Sequence, residues 1–252
     1  MVHGGINMKI ELSAKTAKAF VKGVENMTDM ILLNFSKGGI KTRTLKSDNT
    51  ALLDLEIPKA SSEVYEFDNE NPVEVALLIA DVKDMTKSLV VKDTLMMEYN
   101  LDDPTWLILS ANGVEKRVRC KNASLMKRHK APPTESKWSA DLPFKQTKAF
   151  LTTCKDIPTF EIQVNHGEGI QFQAKNDEET LTMELSHDEV NLHAEQSQTW
   201  ATNLTPSNLL SLLSVASAKT VITLKGSHDA VIKAEWKEAG LILNGWIAPR
   251  TA

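Results

Sequence analysis

The chain has 252 residues, a formal net charge of −4, and 42% apolar and 25% charged residues. Such a composition suits a soluble globular protein of one large domain or two of roughly 120 residues. A net-acidic chain does not coat nucleic acid through overall charge, although a local basic surface on an acidic body stays open. No apolar stretch nears the ~18 residues that span a bilayer, and residues 1–7 lack the apolar core of a signal peptide, so a soluble intracellular protein is expected. Cys120 and Cys154 stand in different halves without a CxxC or Cys/His grouping, and read as reduced structural thiols.

The pattern predicts a strand over Met8–Leu12, then a helix over Ala14–Val24 with Ser13 as its N-cap. Met30–Phe35, Ile40–Leu45 and Ala51–Ile57 read as a meander that turns at Lys37-Gly38-Gly39 and stops at Pro58. A second unit begins with a strand at Val64–Phe67 and a helix over Ile79–Leu89. It continues with strands near Thr94–Tyr99, Thr105–Ser110 and Val114–Lys121, with turns at Asp102-Asp103-Pro104 and Asn112-Gly113. The prolines and aperiodic composition of 125–138, which contain Lys127-Arg128-His129-Lys130 and Pro132-Pro133, mark a linker between domains 1–124 and 139–252.

The second half is expected to repeat the plan. It offers a helix over Lys145–Lys155, strands at Phe160–Asn165, Ile170–Ala174 and Thr180–Leu185, and a helix over Pro206–Ala216 capped by Thr205. Strands near Thr220–Lys225, Val231–Trp236 and Leu241–Ile247 close the chain. The repetition is visible in the residues themselves. Ala14–Phe20 aligns without a gap on Phe144–Phe150, and the register reaches Gly38-Gly39-Ile40 against Glu168-Gly169-Ile170. The fold class is therefore α+β, from two tandem copies of a β-α-β-β-β plan.

Charge is concentrated on the helices. At 100° per residue Lys15, Lys18 and Lys22 share a sector of roughly 60°, opposite Ala17, Phe20, Val21 and Val24. Lys145, Lys148, Thr152 and Lys155 share one face in the second copy, and Lys83 and Lys87 oppose Met85 and Leu89 in the helix between. The last helix presents Ser207, Ser211 and Ser214 instead. Lysine faces interrupted only by Asp84 and Glu25 suit phosphate contacts without base reading, and no interleaved aromatics suggest single-strand stacking. Two strands form a second contrast. Lys116, Arg117, Arg119 and Lys121 make one basic, whereas Glu178, Glu179, Glu184 and Asp188 make its counterpart acidic. If both are sheet edges, they pair head to tail between subunits. Solvent-facing charge of no consequence explains them about as well.

With these residues in view, the chain resembles the sliding clamps of the proliferating-cell nuclear antigen (PCNA) family, its archaeal members above all, from Met8 onward. The resemblance rests on Gly39–Leu45 leading to Ala51–Pro58, on Ile79–Leu89, and on the ending Gly245-Trp246-Ile247-Ala248-Pro249-Arg250. It implies a ring-shaped trimer with helices lining a central channel and antiparallel sheets outside, and no enzymatic activity, cofactor or metal. It implies a processivity factor that encircles duplex DNA and tethers DNA polymerase and other replication and repair proteins, with a clamp loader among its partners. The channel lysines would be Lys15, Lys18, Lys22, Lys83, Lys87, Lys145, Lys148 and Lys155. Partners' short motifs would dock among Leu45, Asn49, Leu52, Ala131, Pro132, Pro133, Val231, Trp246, Ala248 and Pro249. The expected compartment is the nucleoid-associated cytoplasm in an archaeon, or the nucleus in a eukaryote.

Two features depart from the family. Lys46-Ser47-Asp48-Asn49 stands where Asp-Pro-Ser-His or similar is common, and the linker is basic where it is usually acidic or apolar. A subunit of a heterotrimeric or checkpoint-type ring, acting as an interaction scaffold, is therefore the alternative. An enzyme is the third class, but His3, His129, His166, His187, His193 and His228 are scattered, with no catalytic grouping and no phosphate-cradling glycine loop.

Overall fold

The computed structural model describes residues 8–195 and 198–250; His3 lies outside them. The chain divides into two compact units. The first comprises residues up to Thr44, Asp54–His129 and Ala239–Ile242; the second comprises Leu45–Leu53, Lys130–Glu238 and the residues from Leu243.

The elements alternate in one plan. β1 (Met8–Ser13) leads into α1 (Ala14–Val24), then β2 (Met30–Ser36), β3 (Gly39–Leu45), β4 (Ala51–Pro58), β5 (Val64–Phe67) and β6 (Val73–Leu78). α2 (Ile79–Lys87) precedes β7 (Thr94–Tyr99), β8 (Trp106–Ala111) and β9 (Val114–Arg119). β10 (Trp138–Pro143) and α3 (Phe144–Thr153) begin the second series, which continues with β11 (Phe160–Asn165), β12 (Gly169–Lys175) and β13 (Thr180–Ser186). α4 (His187–Val190), β14 (His193–Ala194), β15 (Thr199–Leu204), α5 (Pro206–Leu212), β16 (Val221–Gly226), β17 (Ile232–Glu238) and β18 (Leu241–Ile247) complete it.

In the first unit, one antiparallel sheet runs β5-β1-β7-β8-β9 and another layer runs β4-β3-β2-β6. The second unit has the orders β13-β12-β11-β15 and β14-β10-β16-β17-β18. Strand β1 alternates buried and half-buried residues, as does β10, which is the period-two signature of strands with one face on a core. Ser13 caps α1 by accepting from the Thr16 amide at 3.2 Å. The core side of α3 is fixed by aromatic packing. Phe150 meets Phe160 and Phe172 edge-on, each at 5.8 Å between centroids, and those two rings stack at 5.9 Å. In the first unit Phe20 occupies the matching place on α1, lining a small apolar void with Leu33, Ile40, Val82 and Leu95.

Several sequence expectations need adjustment. Strand β6 was hidden because its apolar Val75–Leu78 runs straight into Ile79 of α2 without a turn signal between them. Helix α4 is one turn held by a capping box, with the Ser186 amide and hydroxyl both donating to Glu189. α3 ends at Thr153, so Lys155 lies beyond it, and α5 stops at Leu212 rather than Ala216. Thr205 occupies the N-cap position of α5 without a side-chain capping bond. Trp138 is the first residue of β10, and Leu125 closes a 3-10 turn, so the extended connector is 126–137.

The repeat survives in backbone geometry. Gly39 and Gly169 both open a strand at positive φ, 142° and 149°. A Cβ at Gly39 would lie 2.2 Å from the Ile57 carbonyl oxygen, and one at Gly169 2.1 Å from that of Leu185. Only glycine allows the neighbouring strand so close. Gly113, in the Asn112-Gly113 turn between β8 and β9, also has positive φ but would meet nothing within 4 Å. Gly39→Ala and Gly169→Ala are each expected to lower stability by about 2 kcal/mol or more in urea unfolding, and Gly113→Ala by about 1 kcal/mol. Equal midpoints for all three variants would contradict the shared strand-crossing role.

Candidate nucleic-acid and partner interfaces

Eight of the eleven residues of α1 are buried, and the three exposed ones are Lys15, Lys18 and Lys22. The helix spends every apolar and small side chain on its sheet, so its free face is lysine alone. Lys15 meets no partner among the described residues. The Lys18 ammonium donates to the Leu89 carbonyl at 2.6 Å, just past the end of α2, where a cation also answers the helix dipole. In α3 the exposed residues include Lys145 and Lys148, and no acidic residue occurs in the helix. The Lys148 ammonium lies 6.0 Å from the Phe144 ring centre, and Lys155 is exposed beyond the C-cap.

The lysines of α2 are in a different electrostatic state. Lys83 pairs with Glu25 at 2.6 Å, and that bond raises its pKa. Lys87 pairs with Asp84 at 2.7 Å, which holds the Asp84 carboxyl below its ordinary value. Lys116 of β9 reaches Asp81 at 2.9 Å and Asp84 at 3.6 Å. Helix α2 thus carries two lysines and two aspartates, and its face is compensated. α5 exposes Ser207 and has no charge. α1 and α3 are thus basic, whereas α2 and α5 are neutral. The sequence pattern showed Asp84 and Glu25 as interruptions but not the extent of the pairing, because Glu25 and Lys116 reach α2 from other elements.

Strands β9 and β13 are both sheet edges. On β9, Arg117 and Arg119 are exposed, with the Arg117 guanidinium 5.3 Å from the Trp106 ring centre. Lys121 follows the strand, its amide bonded to the Ala76 carbonyl at 2.7 Å. On β13, Glu184 is exposed and accepts from Gln171 at 2.8 Å. Glu178 and Glu179 sit in the turn before the strand, both amides donating to the Asn176 side chain. A cavity of about 500 Å³ lies against β12 and β13, rimmed by Glu168, Glu184 and Glu189. Among the intended interface cations, Lys116 is the one already held by acids of its own unit.

The expected docking residues all fall in the second unit. Leu52 and Trp246 are buried, Leu45, Ala131, Pro132, Val231 and Pro249 half-buried, and Asn49, Pro133 and Ala248 exposed. Asn49 has φ 59°, and its amide donates to the Lys46 carbonyl at 2.9 Å. Its place is thus a left-handed turn position that asparagine tolerates. Missed in the sequence were the ties between these segments. The Trp246 indole donates to the Thr134 hydroxyl at 3.2 Å, the Ala248 amide to the Thr50 carbonyl at 2.9 Å, and Lys46 to Asn208 at 2.5 Å. The histidines serve loops: His166 contacts the Ala194 carbonyl at 3.1 Å, and the Ala201 amide donates to His228 at 3.3 Å.

No family model matches the chain. It is 22% identical over 180 residues to the DNA polymerase sliding clamp of Archaeoglobus fulgidus, covering 71% of this chain and 72% of that protein. The A. fulgidus PCNA solved with the C-terminal region of FEN-1 superposes with a TM-score of 0.87 at 17% identity, over 97% of this chain and 99% of that one. A chain of the Sulfolobus tokodaii PCNA2–PCNA3 complex does so at 0.79 and 18%, over 96% and 99%. The fold is that of the sliding clamps. The PCNA resemblance read from the sequence holds across nearly the whole chain. No helix among the described residues is long and apolar enough to cross a membrane.

The Trp246–Thr134 bond gives a test of how the connector is held. Thr134→Val leaves a buried indole N–H without its acceptor and is expected to cost about 1–2 kcal/mol. Thr134→Ser is expected to keep the urea midpoint of the parent. A midpoint unchanged by valine would remove this bond from the account of the connector.

Proposed function

We propose that the chain is a DNA polymerase sliding clamp subunit: three copies close a ring around duplex DNA and tether replication and repair enzymes to it. The observation that carries this reading is the acid-free lysine face on α1 and again on α3, one in each half of a clamp fold. In this reading the clamp domains are 1–124 and 139–252, joined by the connector 125–138. Affinity for DNA comes from encirclement. The lysines touch phosphates weakly, which permits sliding, because strong contacts would pin the ring. Lys15, Lys145, Lys148 and Lys155 do most of this work, Lys22 and Lys18 share it, Lys18 while tied to Leu89, and the compensated Lys83 and Lys87 do least.

Ring closure is assigned to the edges. β9 offers Arg117, Arg119 and Lys121, and β13 offers Glu184 with Glu178 and Glu179 at its turn. Like edges repel and unlike edges attract, so each copy accepts the next head to tail. One chain holds both members of the pair, which favours a homotrimer. A heteromeric ring is the second reading, favoured by the likeness to the PCNA2–PCNA3 complex and by the basic connector. DNA polymerase and a clamp loader are expected partners. By analogy with the clamp bound to the C-terminal region of FEN-1, short peptide segments dock around Leu45, Leu52, Pro132, Val231, Trp246 and Pro249. The compartment follows the DNA: nucleoid-associated cytoplasm in an archaeon, nucleus in a eukaryote.

Two experiments test the reading. Combined Lys15→Ala, Lys145→Ala and Lys148→Ala is expected to cut clamp-dependent polymerase processivity several-fold on primed DNA, with the effect shrinking as salt rises. Lys83→Ala with Lys87→Ala is expected to change it less. Undiminished processivity in the triple variant would overturn the channel assignment. Separately, Arg117→Glu with Arg119→Glu is expected to shift the mass measured by light scattering from trimer to monomer. Glu178→Lys with Glu184→Lys in the same chain should restore part of the trimer. A trimer untouched by the arginine reversals would remove charge pairing from the interface.

A further inference from the structure

The connector begins on a strap, Lys127-Arg128-His129-Lys130, whose charge the docking reading leaves unused. The strap is fastened to the first unit at two points. Arg128 forms a two-pronged pair with Glu74 of β6, Nη2 to Oε2 and Nε to Oε1 at 3.3 Å. Arg43 of β3 donates to the His129 carbonyl at 3.4 Å and is itself balanced by Asp54 at 2.5 Å. Both guanidinium groups are therefore engaged and compensated. Lys127 and Lys130 are not: each is exposed, and neither has a hydrogen bond or ion pair among the described residues. Burial, and the Lys127 charge next, hold the His129 pKa below its ordinary value, so the imidazole carries less charge near neutrality than a free one. What remains is two unpaired ammonium groups on a backbone fixed at Arg128 and His129.

We infer that this strap selects docking partners whose anchor segment is flanked by acidic residues, with Lys127 and Lys130 as the selecting charges. The inference rests on the docking reading above and adds the chemistry of the partner. Fixing the strap lowers the ordering cost of pairing, and the two lysines, without an ion-pair partner among the described residues, keep their charge for an incoming one. An acidic flank supplies the missing counter-charge, whereas a basic flank meets repulsion. Such rim charges discriminate partners and speed encounter at low salt, and salt screens them.

The test uses the full-length protein and the C-terminal region of FEN-1 that binds the A. fulgidus clamp, made as a fluorescent peptide and extended at each end in turn by three Glu, three Ser or three Lys. Anisotropy at 50 mM salt is expected to show the Glu-extended peptide binding at least about five-fold tighter than the Lys-extended one at one of the two ends, the gap narrowing at 500 mM. Lys127→Glu with Lys130→Glu should invert the order while the Ser-extended peptide keeps its affinity. If the Ser-extended peptide binds and the Glu and Lys flanks bind equally at both ends, the selection is refuted while docking stands. A preference that survives the double reversal also refutes the assignment to these lysines. If no peptide binds at either salt, the docking reading fails and this one falls with it.

Discussion

The direction of the helix charge follows from how α1 and α3 pack their large apolar residues against the sheets beneath them. In α1, Ala14, Ala17, Ala19, Phe20, Val21 and Val24 are buried, with Thr16 and Gly23, which leaves three positions facing outward. Phe150 fixes α3 on Phe160 and Phe172 in the same way. Rotation of either helix by one residue would carry a lysine into the core, a change that desolvation forbids. The direction of the positive charge is therefore set by apolar packing.

This explains why some parts of the molecule were legible in the sequence and others were not. Helical periodicity in Ala14–Val24 and Lys145–Thr153 separates lysine from apolar side chains cleanly, so both faces are readable from spacing alone. The glycines at 39 and 169 recur in register because each opens a strand that crosses another chain segment at close range. Long-range ion pairs are not periodic. Lys87 and Asp84 make a local pair within α2, but Glu25 and Lys83 stand far apart in the chain, as do Asp81 and Lys116, and these pairs form only in the folded arrangement. The short α4 left the one local signal of Ser186 three residues before Glu189, too small beside the strand pattern around it. In α5 the buried residues Leu209, Leu212, Val215 and Ala216 keep a helical rhythm past Leu213, where the backbone has already left the helix.

The docking residues show a third degree of legibility. Trp246, Ala248 and Pro249 are conspicuous at the chain end, but what positions them is backbone and hydroxyl bonding from Thr50 and Thr134. Threonines of this kind carry no signal in composition or spacing. Asn49 illustrates the converse. Its identity looks like a change of binding chemistry, yet its φ of 59° shows a residue chosen for a turn.

The arrangement of lysines on α1 also violates the local rules of helix stability, and that is the strongest physical argument for a role outside the fold. Lys15 and Lys18 are three residues apart, Lys18 and Lys22 four, and like charges at those spacings cost roughly 0.2–0.5 kcal/mol each. Lys15 further stands in a first turn that contains no acidic residue, where the helix dipole disfavours a cation. α3 repeats the pattern, with Lys145 in a first turn equally free of acid and Lys148 one turn on. α2, by contrast, has Asp81 in its first turn and Lys87 in its last, the arrangement the dipole favours. One chain thus builds a helix that obeys the rules and two that break them in the same way. Its net charge is −4, so acids were not scarce. Keeping them off α1 and α3 weakens both helices slightly and leaves two helix faces with lysine and no acid of their own, the chemistry on which the proposed contact with a polyanion rests.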